Sequence, residues 1–107
     1  SATKALATTA LHRQTVIMLA LRRFELEKGK LPAALDELIP QYLASVPKDP
    51  FDDAPMRWNA TKQITYSVGT NLKDDGGKMD KYASQNQPDI GLLYWWAAPD
   101  PTMSTPK

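Results

Sequence analysis

The first 28 residues place the strongest constraint on this chain, because they predict a single long helix in a protein of only 107 residues. At 100° per residue, one face of this helix collects the apolar residues Leu6, Ala10, Ile17, Ala20, Leu21 and Phe24. No Pro or Gly interrupts the pattern before Gly29, a residue that tolerates the positive φ common at helix ends. A helix from Ala2 to Lys28 would be roughly 40 Å long, so the rest of the chain must wrap it to form a core.

The apolar face of this helix is imperfect, and its irregularities allow two interpretations. Arg13 falls inside the face, whereas Leu11, Met18, Leu19 and Leu26 fall well away from it. In the first interpretation Arg13 extends its charge to water and the scattered apolar residues are ordinary surface residues. In the second, a second side of the helix contacts another molecule, such as a neighbouring copy of the chain. Base rates for exposed apolar residues favour the first.

The bulk composition predicts one domain and excludes several kinds of site. Thirteen basic and twelve acidic residues give a net charge of +1, which provides no broad electrostatic reason to bind nucleic acid or an anionic membrane. The absence of cysteine excludes disulfides, thiol catalysis and cysteine-ligated zinc, and the single histidine excludes a histidine-rich metal site.

The apolar runs of this sequence are too short to cross a bilayer. The longest, Val16 to Leu21, is far below the ~20 residues that a spanning helix needs. The predicted helix begins almost at the first residue, with only Ser1 as a candidate cap. We therefore expect the chain to be cut within a longer helix, so that any membrane anchor lies upstream.

Prolines divide the chain after the long helix. Pro32 is suited to a first helical position and predicts a short helix over residues 32–39, which Pro40 ends. Three further prolines then bracket an irregular segment, residues 48–55, whose carboxylates are Asp49, Asp52 and Asp53. These carboxylates are compatible with a metal loop, but Asp side chains in turns more often bond their own backbone, so we predict turns.

The second half of the chain predicts a small sheet. Residues 56–59 and 63–68 alternate like strands and are joined by a link too short for a crossover, which predicts an antiparallel β-hairpin over 56–68. Ile90 to Trp96 reads as the last strand. Residues 97–107 contain three prolines and are predicted to be a flexible tail.

Between the predicted strands, residues 70–89 form a long polar loop that concentrates oxygen donors. These donors are Asn71, Asp74, Asp75, Asp80 and Asp89. Calcium prefers such carboxylate and carbonyl oxygens, but the spacing does not fit an EF-hand. On spacing alone, a solvated acidic loop is favoured over a calcium site.

Other chemistry has little support in this sequence. His12 falls on the helix side away from the apolar face, where histidine is seldom a catalyst. No phosphate loop, nucleophile elbow or metalloprotease helix is present, so we predict that the protein is not an enzyme. Trp58, Trp95 and Trp96 suit either core packing or a stacking platform for a ligand. Packing is favoured for Trp58 and for one of the adjacent pair.

The order of these pieces resembles a known family. The long helix runs into the sequence G-K-L-P at residues 29–32, followed by L-x-x-L-I-P at 35–40 and V-P-K-D-P-F at 46–51. The strand I-T-Y-S-V-G-T-N at 64–71, the Asp/Gly-rich loop and P-D-I at 88–90 complete the pattern. Over most of its length the chain resembles the soluble part of a major pseudopilin of type II secretion, or a near relative.

This resemblance implies an α+β fold, in which a long helical spine packs on a small antiparallel sheet. It also implies a structural subunit that assembles with other copies of itself and other pseudopilins, and with inner-membrane secretion components. Such subunits lie on the periplasmic side of the bacterial inner membrane and are anchored by an apolar extension of the helix. Here the prepilin leader and that extension would lie upstream of Ser1.

The resemblance further implies a structural Ca²⁺ in the loop after the Y-S-V-G strand. Carried over by position, the ligands are the carbonyl of Val68 with Asn71 and Asp89, supplemented by Asp74 and Asp75. The family usually has Asp where this chain has Asn71, and a neutral ligand should weaken calcium binding.

These observations together predict a non-enzymatic pseudopilus subunit. The alternative is a standalone extracytoplasmic module with a pilin-like fold that binds a ligand through exposed tryptophans. The residues upstream of Ser1 would separate the two, because only the first needs a leader and an apolar helix there.

Overall fold

The computed structural model describes residues 2–77 and 90–94, and these residues form an α+β domain as predicted. Its regular elements are α1 (Ala2–Lys28), β1 (Arg57–Asn59), β2 (Ile64–Ser67) and β3 (Ile90–Leu93), with short 3-10 helices at Leu35–Leu38 and Gly69–Asn71. The long helix packs on the three-stranded sheet. The predicted tail, 97–107, lies outside the described residues.

The sheet is antiparallel and its strands follow one another in the order β1-β2-β3. Trp58 pairs with Thr65, and Tyr66 pairs with Gly91, so the predicted hairpin is confirmed. The third strand ends at Leu93, and Tyr94 follows it with its N–H donating to the Gln63 carbonyl at 2.8 Å. The last two residues of the strand predicted over 90–96 lie outside the described residues.

The core forms where α1 lies across β2 and β3. The helix contributes one broad face, which begins at Ala10 and ends at Phe24. The 3-10 helix and the segments around it close the other side. The cluster of buried residues comprises Ile17, Met18, Ala20, Leu21, Phe24, Leu35, Leu38, Tyr42, Met56 and Tyr94, with Trp58 packed against it. The packing role predicted for Trp58 is therefore confirmed.

Two predictions about the faces of α1 were wrong. Met18, expected on the outer side, is fully buried, because a sheet covers a wider arc of the helix than the apolar stripe alone indicates. Leu6, expected on the core face, is exposed, because no residue from 2 to 9 is buried and the first turns of α1 extend beyond the core. The other five residues of the predicted face are buried.

Polar side chains anchor the first half of α1 to the rest of the domain. Arg13 donates from Nη1 to the Lys48 carbonyl at 2.6 Å, so it contacts the proline-bracketed segment and does not simply extend to water. Gln14 is fully buried and donates from Nε2 to the Thr65 carbonyl at 3.1 Å. These two bonds fix the rotation of the helix over β2.

Two buried tyrosines anchor the second half of α1. The Tyr94 hydroxyl donates to Glu25 Oε1 at 2.7 Å, and the Tyr42 hydroxyl donates to Glu27 Oε2. Burial and the bond to Glu25 raise the pKa of Tyr94 to about 12. The bond to Glu27 and burial raise the pKa of Tyr42 as well. Both phenols therefore stay protonated and act as donors at neutral pH.

The short helix predicted over 32–39 is in fact a single 3-10 turn, Leu35–Leu38. The Glu37 carboxylate accepts hydrogen bonds from the N–H groups of Ala33 and Ala34. A side chain of the turn itself therefore satisfies the backbone donors at its start. Ile39 is already extended, as expected for a residue before proline, and its bond to Pro40 is cis. One turn therefore fits between the two prolines.

Within the described residues, no helix is both long enough and apolar enough to span a bilayer.

Adjacent apolar residues of α1 provide a direct test of this packing. Met18→Ala should lower the free energy of unfolding by roughly 3 kcal/mol, because it opens a cavity in the core. Leu19→Ala should change it by less than about 0.5 kcal/mol, because the Leu19 side chain is half exposed. Urea unfolding of both variants checks this, and equal losses would show that the outer side of α1 also belongs to the core.

Candidate functional site

The carboxylate of Asp49 joins two segments that are far apart in the sequence. The residue is fully buried, and its Oδ1 accepts from the Phe51 N–H at 2.9 Å and from the Ser67 hydroxyl at 2.8 Å. Its Oδ2 accepts from the Val68 N–H at 2.9 Å and from Arg57 Nη1 at 2.9 Å. The proline-bracketed turn is thereby attached to the end of β2.

Arg57 on β1 connects this buried carboxylate to two others. Besides Asp49, its guanidinium contacts Asp52 Oδ2 at 2.6 Å and Asp74 Oδ2 at 3.4 Å. One positive charge therefore faces three carboxylates, so the cluster remains net negative although the whole chain carries a net charge of +1. We call Asp49, Asp52, Arg57 and Asp74 the Arg57 cluster.

The same cluster fixes the first part of the acidic loop against the sheet. Asp74 Oδ1 accepts from the Tyr66 hydroxyl at 2.8 Å and from the Gly76 N–H at 2.9 Å. Asn59 donates from Nδ2 to the Gly76 carbonyl at 2.8 Å. Gly77 has φ +83°, and a Cβ at this position would lie 3.2 Å from the Tyr66 ring. A glycine therefore lets the loop approach the sheet closely.

Both partly exposed carboxylates of the cluster remain ionised at neutral pH. Burial alone would raise the pKa of Asp52, but hydrogen bonds from Arg57 and the Ala54 N–H outweigh it and hold this pKa below its usual range. For Asp74 the effect of burial is likewise outweighed, by hydrogen bonds from Gly76 and Tyr66 and by the charge of Arg57, so its pKa is also lowered.

A cavity of about 350 Å³ borders this cluster. Its apolar lining includes the buried Leu35 and Met56, while Trp58 and Tyr66 supply aromatic rings. Two acidic residues, Asp36 and Asp74, line it as well. Trp58 donates from Nε1 to the Pro32 carbonyl at 3.0 Å, which fixes the orientation of its ring.

The five residues predicted to bind calcium are only partly brought together by the described structure. Asn71 donates from Nδ2 to Asp75 Oδ2 at 3.2 Å, so these two side chains are neighbours. Asp74 is instead engaged by Tyr66 and Arg57. Val68 lies directly after β2 and before the 3-10 helix Gly69–Asn71, and Asp89, like Asp80, lies outside the described residues.

The calcium site therefore stays a prediction. Within residues 2–77 and 90–94, no group of three or more acidic or histidine side chains is placed to hold a metal ion. The described part supplies one carboxylate, from Asp75, next to the Asn71 amide, and a complete site would need oxygens from outside it.

The turn prediction for the proline-bracketed segment is confirmed, although it missed the larger role of that segment. Asp49 and Asp52 accept from the N–H groups of Phe51 and Ala54, both two residues further on, as turn-forming Asp residues do. The contacts of Asp49 with Ser67 and Arg57 were not predicted from the sequence. The sequence signal for them is the joint presence of D-P-F and Y-S-V-G, whose backbones this carboxylate connects.

His12 is exposed on α1, as predicted. No family model matches the chain, and neither the curated proteins nor the solved structures contain a match to it.

The Arg57 cluster can be tested with two isosteric substitutions in the same turn. Asp49→Asn should lower the free energy of unfolding by roughly 3 kcal/mol, because an amide places a donor against Arg57 and buried N–H groups. Asp53→Asn is the control, because Asp53 is exposed at a positive φ that Asn tolerates. Its effect should stay below about 0.5 kcal/mol. Similar losses in chemical denaturation would contradict the central role of Asp49.

Proposed function

We propose that this chain is a non-enzymatic subunit of a pseudopilus-like filament that serves type II protein secretion. The observation that carries the proposal is the one-sided burial of α1. Leu11, Leu19 and Leu26 of this 27-residue helix are 47%, 51% and 67% exposed, while its other side forms the core. A filament built on helical spines needs such a helix, held by its own domain on one side and available to neighbours on the other.

The three leucines form a line along α1. They are separated by eight and seven residues, which corresponds to roughly 12 and 10 Å along the axis. At 100° per residue they fall within about 80° of one another, and Leu26 is directly opposite the buried Ile17. We call Leu11, Leu19 and Leu26 the leucine stripe. Contacts this narrow bury little area, so an isolated domain is expected to associate weakly.

The motifs that carry the resemblance also contact each other. The D-P-F turn and the Y-S-V-G strand end are joined through Asp49, Ser67 and Val68. This contact supports the proposal because two motifs that are each short and common become parts of one structural unit. The proposed partners are copies of this chain, other pseudopilins and inner-membrane secretion components. The proposed location is the periplasmic side of the inner membrane, with an anchor upstream of Ser1.

Filament assembly can be tested by cross-linking, because the chain contains no cysteine. In the native host, the full-length precursor carrying Leu19→Cys or Leu26→Cys should form a disulfide-linked dimer under oxidising conditions, because each subunit then has a single thiol. Lys62→Cys, in the exposed hairpin turn, is the control and should give far less cross-linking.

A charge at the same positions should have the opposite effect. Adding Leu26→Glu to the Leu19→Cys variant should abolish the cross-linked dimer and secretion, while leaving the melting temperature of the soluble domain within about 2 °C. Ala60→Glu, exposed in the hairpin turn, should leave both intact. The proposal fails if Leu26→Glu assembles normally, or if the gene encodes no prepilin leader and no apolar helix upstream of Ser1.

We also propose a structural calcium ion in the loop, on the oxygens of Asn71, Asp75 and Asp89 and the carbonyl of Val68. Asp74 is left out of this set because Tyr66, Gly76 and Arg57 hold its carboxylate against the sheet. The contact between Asn71 and Asp75 supports this reduced ligand set. The bound ion would relieve the repulsion among carboxylates that Arg57 does not reach.

Thermal unfolding with calcium and with chelator tests this site. At a hundredfold excess over Kd, calcium should stabilise the domain by about 2.7 kcal/mol. The gain should be lost in Asp75→Asn and in Asp89→Asn, retained in Asp53→Asn and increased in Asn71→Asp. Magnesium should have much less effect, because it demands a tighter octahedral shell. Identical curves with calcium and with chelator would overturn the assignment.

A further inference from the structure

The cavity beside the Arg57 cluster combines three properties that bear on what it can bind. It has an apolar lining that includes Leu35 and Met56, an aromatic ring from Trp58, and carboxylates from Asp36 and Asp74. Its volume of about 350 Å³ is at the low end of ligand sites. It therefore suits a single long side chain better than a large ligand.

Charge determines which side chain fits. Arg57 also lines the cavity, but its guanidinium is bound by the carboxylates of Asp49, Asp52 and Asp74. The surroundings of the cavity are therefore net negative, despite the arginine. The exposed Asp36 adds a further negative charge, and within the described residues its carboxylate makes no hydrogen bond or ion pair.

Geometry favours a cation with a long aliphatic stem. The indole N–H of Trp58 donates to the Pro32 carbonyl, which holds the ring in one orientation at the cavity wall. Among aromatic rings, an indole is the best partner for a stacked cation. Methylene groups can pack on Leu35 and Met56 while the charged end reaches a carboxylate. The Asp74 side chain is about half exposed, and its closest approach to Arg57 is a long 3.4 Å. Its Oδ1 already accepts from Tyr66 and Gly76, so Oδ2 is the oxygen that can accept from a further donor.

We propose that this cavity binds the side chain of an arginine presented by another polypeptide. The guanidinium stacks on Trp58 and pairs with Asp36 and Asp74, and the arginine methylenes cover the apolar lining. Arginine is favoured over lysine because a planar guanidinium both stacks on an indole and donates to two carboxylates at once. The inference is independent of filament assembly, because no residue of the leucine stripe lines the cavity.

Nuclear magnetic resonance titration of the 107-residue chain tests the proposal with blocked tripeptides, Gly-Arg-Gly and Gly-citrulline-Gly. Citrulline has nearly the shape of arginine but no charge, so it isolates the ionic contribution. The arginine peptide should give saturable shifts at the Trp58 indole and the Asp36 amide, with a Kd on the order of 1 mM. The citrulline peptide should bind at least fivefold more weakly, as should Gly-Lys-Gly.

Substitutions then assign the contacts. Asp36→Asn should weaken the arginine peptide at least threefold, and the fold should survive because Asp36 is exposed. Asp53→Asn removes the same charge outside the cavity and should bind like the parent chain. Trp58→Phe should weaken binding further, since phenylalanine is a poorer partner for cations.

Three results would overturn the inference. The first is equal affinity for the arginine and citrulline peptides, and the second is an equal effect of Asp36→Asn and Asp53→Asn. The third is the absence of any saturable shift at Trp58. Filament cross-linking through the leucine stripe would be unaffected in each case, so failure here is distinguishable from failure of the proposed function.

Discussion

The buried carboxylate of Asp49 is the interaction on which the sheet side of this structure depends. A lone carboxylate without solvent would be strongly destabilising, so its position is tolerated only because four donors converge on it. Those donors come from its own turn, from β1 and from the end of β2. Satisfying one charge thus determines where three segments meet, and the loop that follows β2 starts from a fixed point.

The position of α1 depends on a combination of apolar packing and side-chain hydrogen bonds. This combination keeps one side of the helix in the core and the other side exposed. Apolar packing fixes its distance from the sheet, while Arg13, Gln14 and the two tyrosines fix its rotation. With rotation fixed, the outward direction of the leucine stripe is a property of the fold. The exposed leucines cannot turn inward to hide from water, so the surface that they form is permanent.

Whether a feature of this structure could be predicted from the sequence depends on how far apart its interacting residues lie along the chain. The helix, the hairpin and the Asp turns are local, and periodicity or turn chemistry predicted them correctly. The burial of Met18 was missed, because helical spacing alone does not tell how wide a partner surface is. The 3-10 turn was missed because its closure depends on the Glu37 side chain bonding backwards to Ala33 and Ala34. The candidate site was least predictable, since Asp49 and Ser67 are eighteen residues apart.

Arg57 links the stability of the site to its recognition properties. To satisfy the buried Asp49, the chain places a guanidinium at the start of β1, and that guanidinium also contacts Asp52 and Asp74. Three negative carboxylates thus surround one positive guanidinium, so the cluster carries an excess of two negative charges. One of these carboxylates, Asp74, lines the aromatic-lined cavity and belongs to the loop that carries Asn71 and Asp75. A chain with almost no net charge thereby acquires a locally negative surface, and this is the charge that the proposed arginine side chain would neutralise.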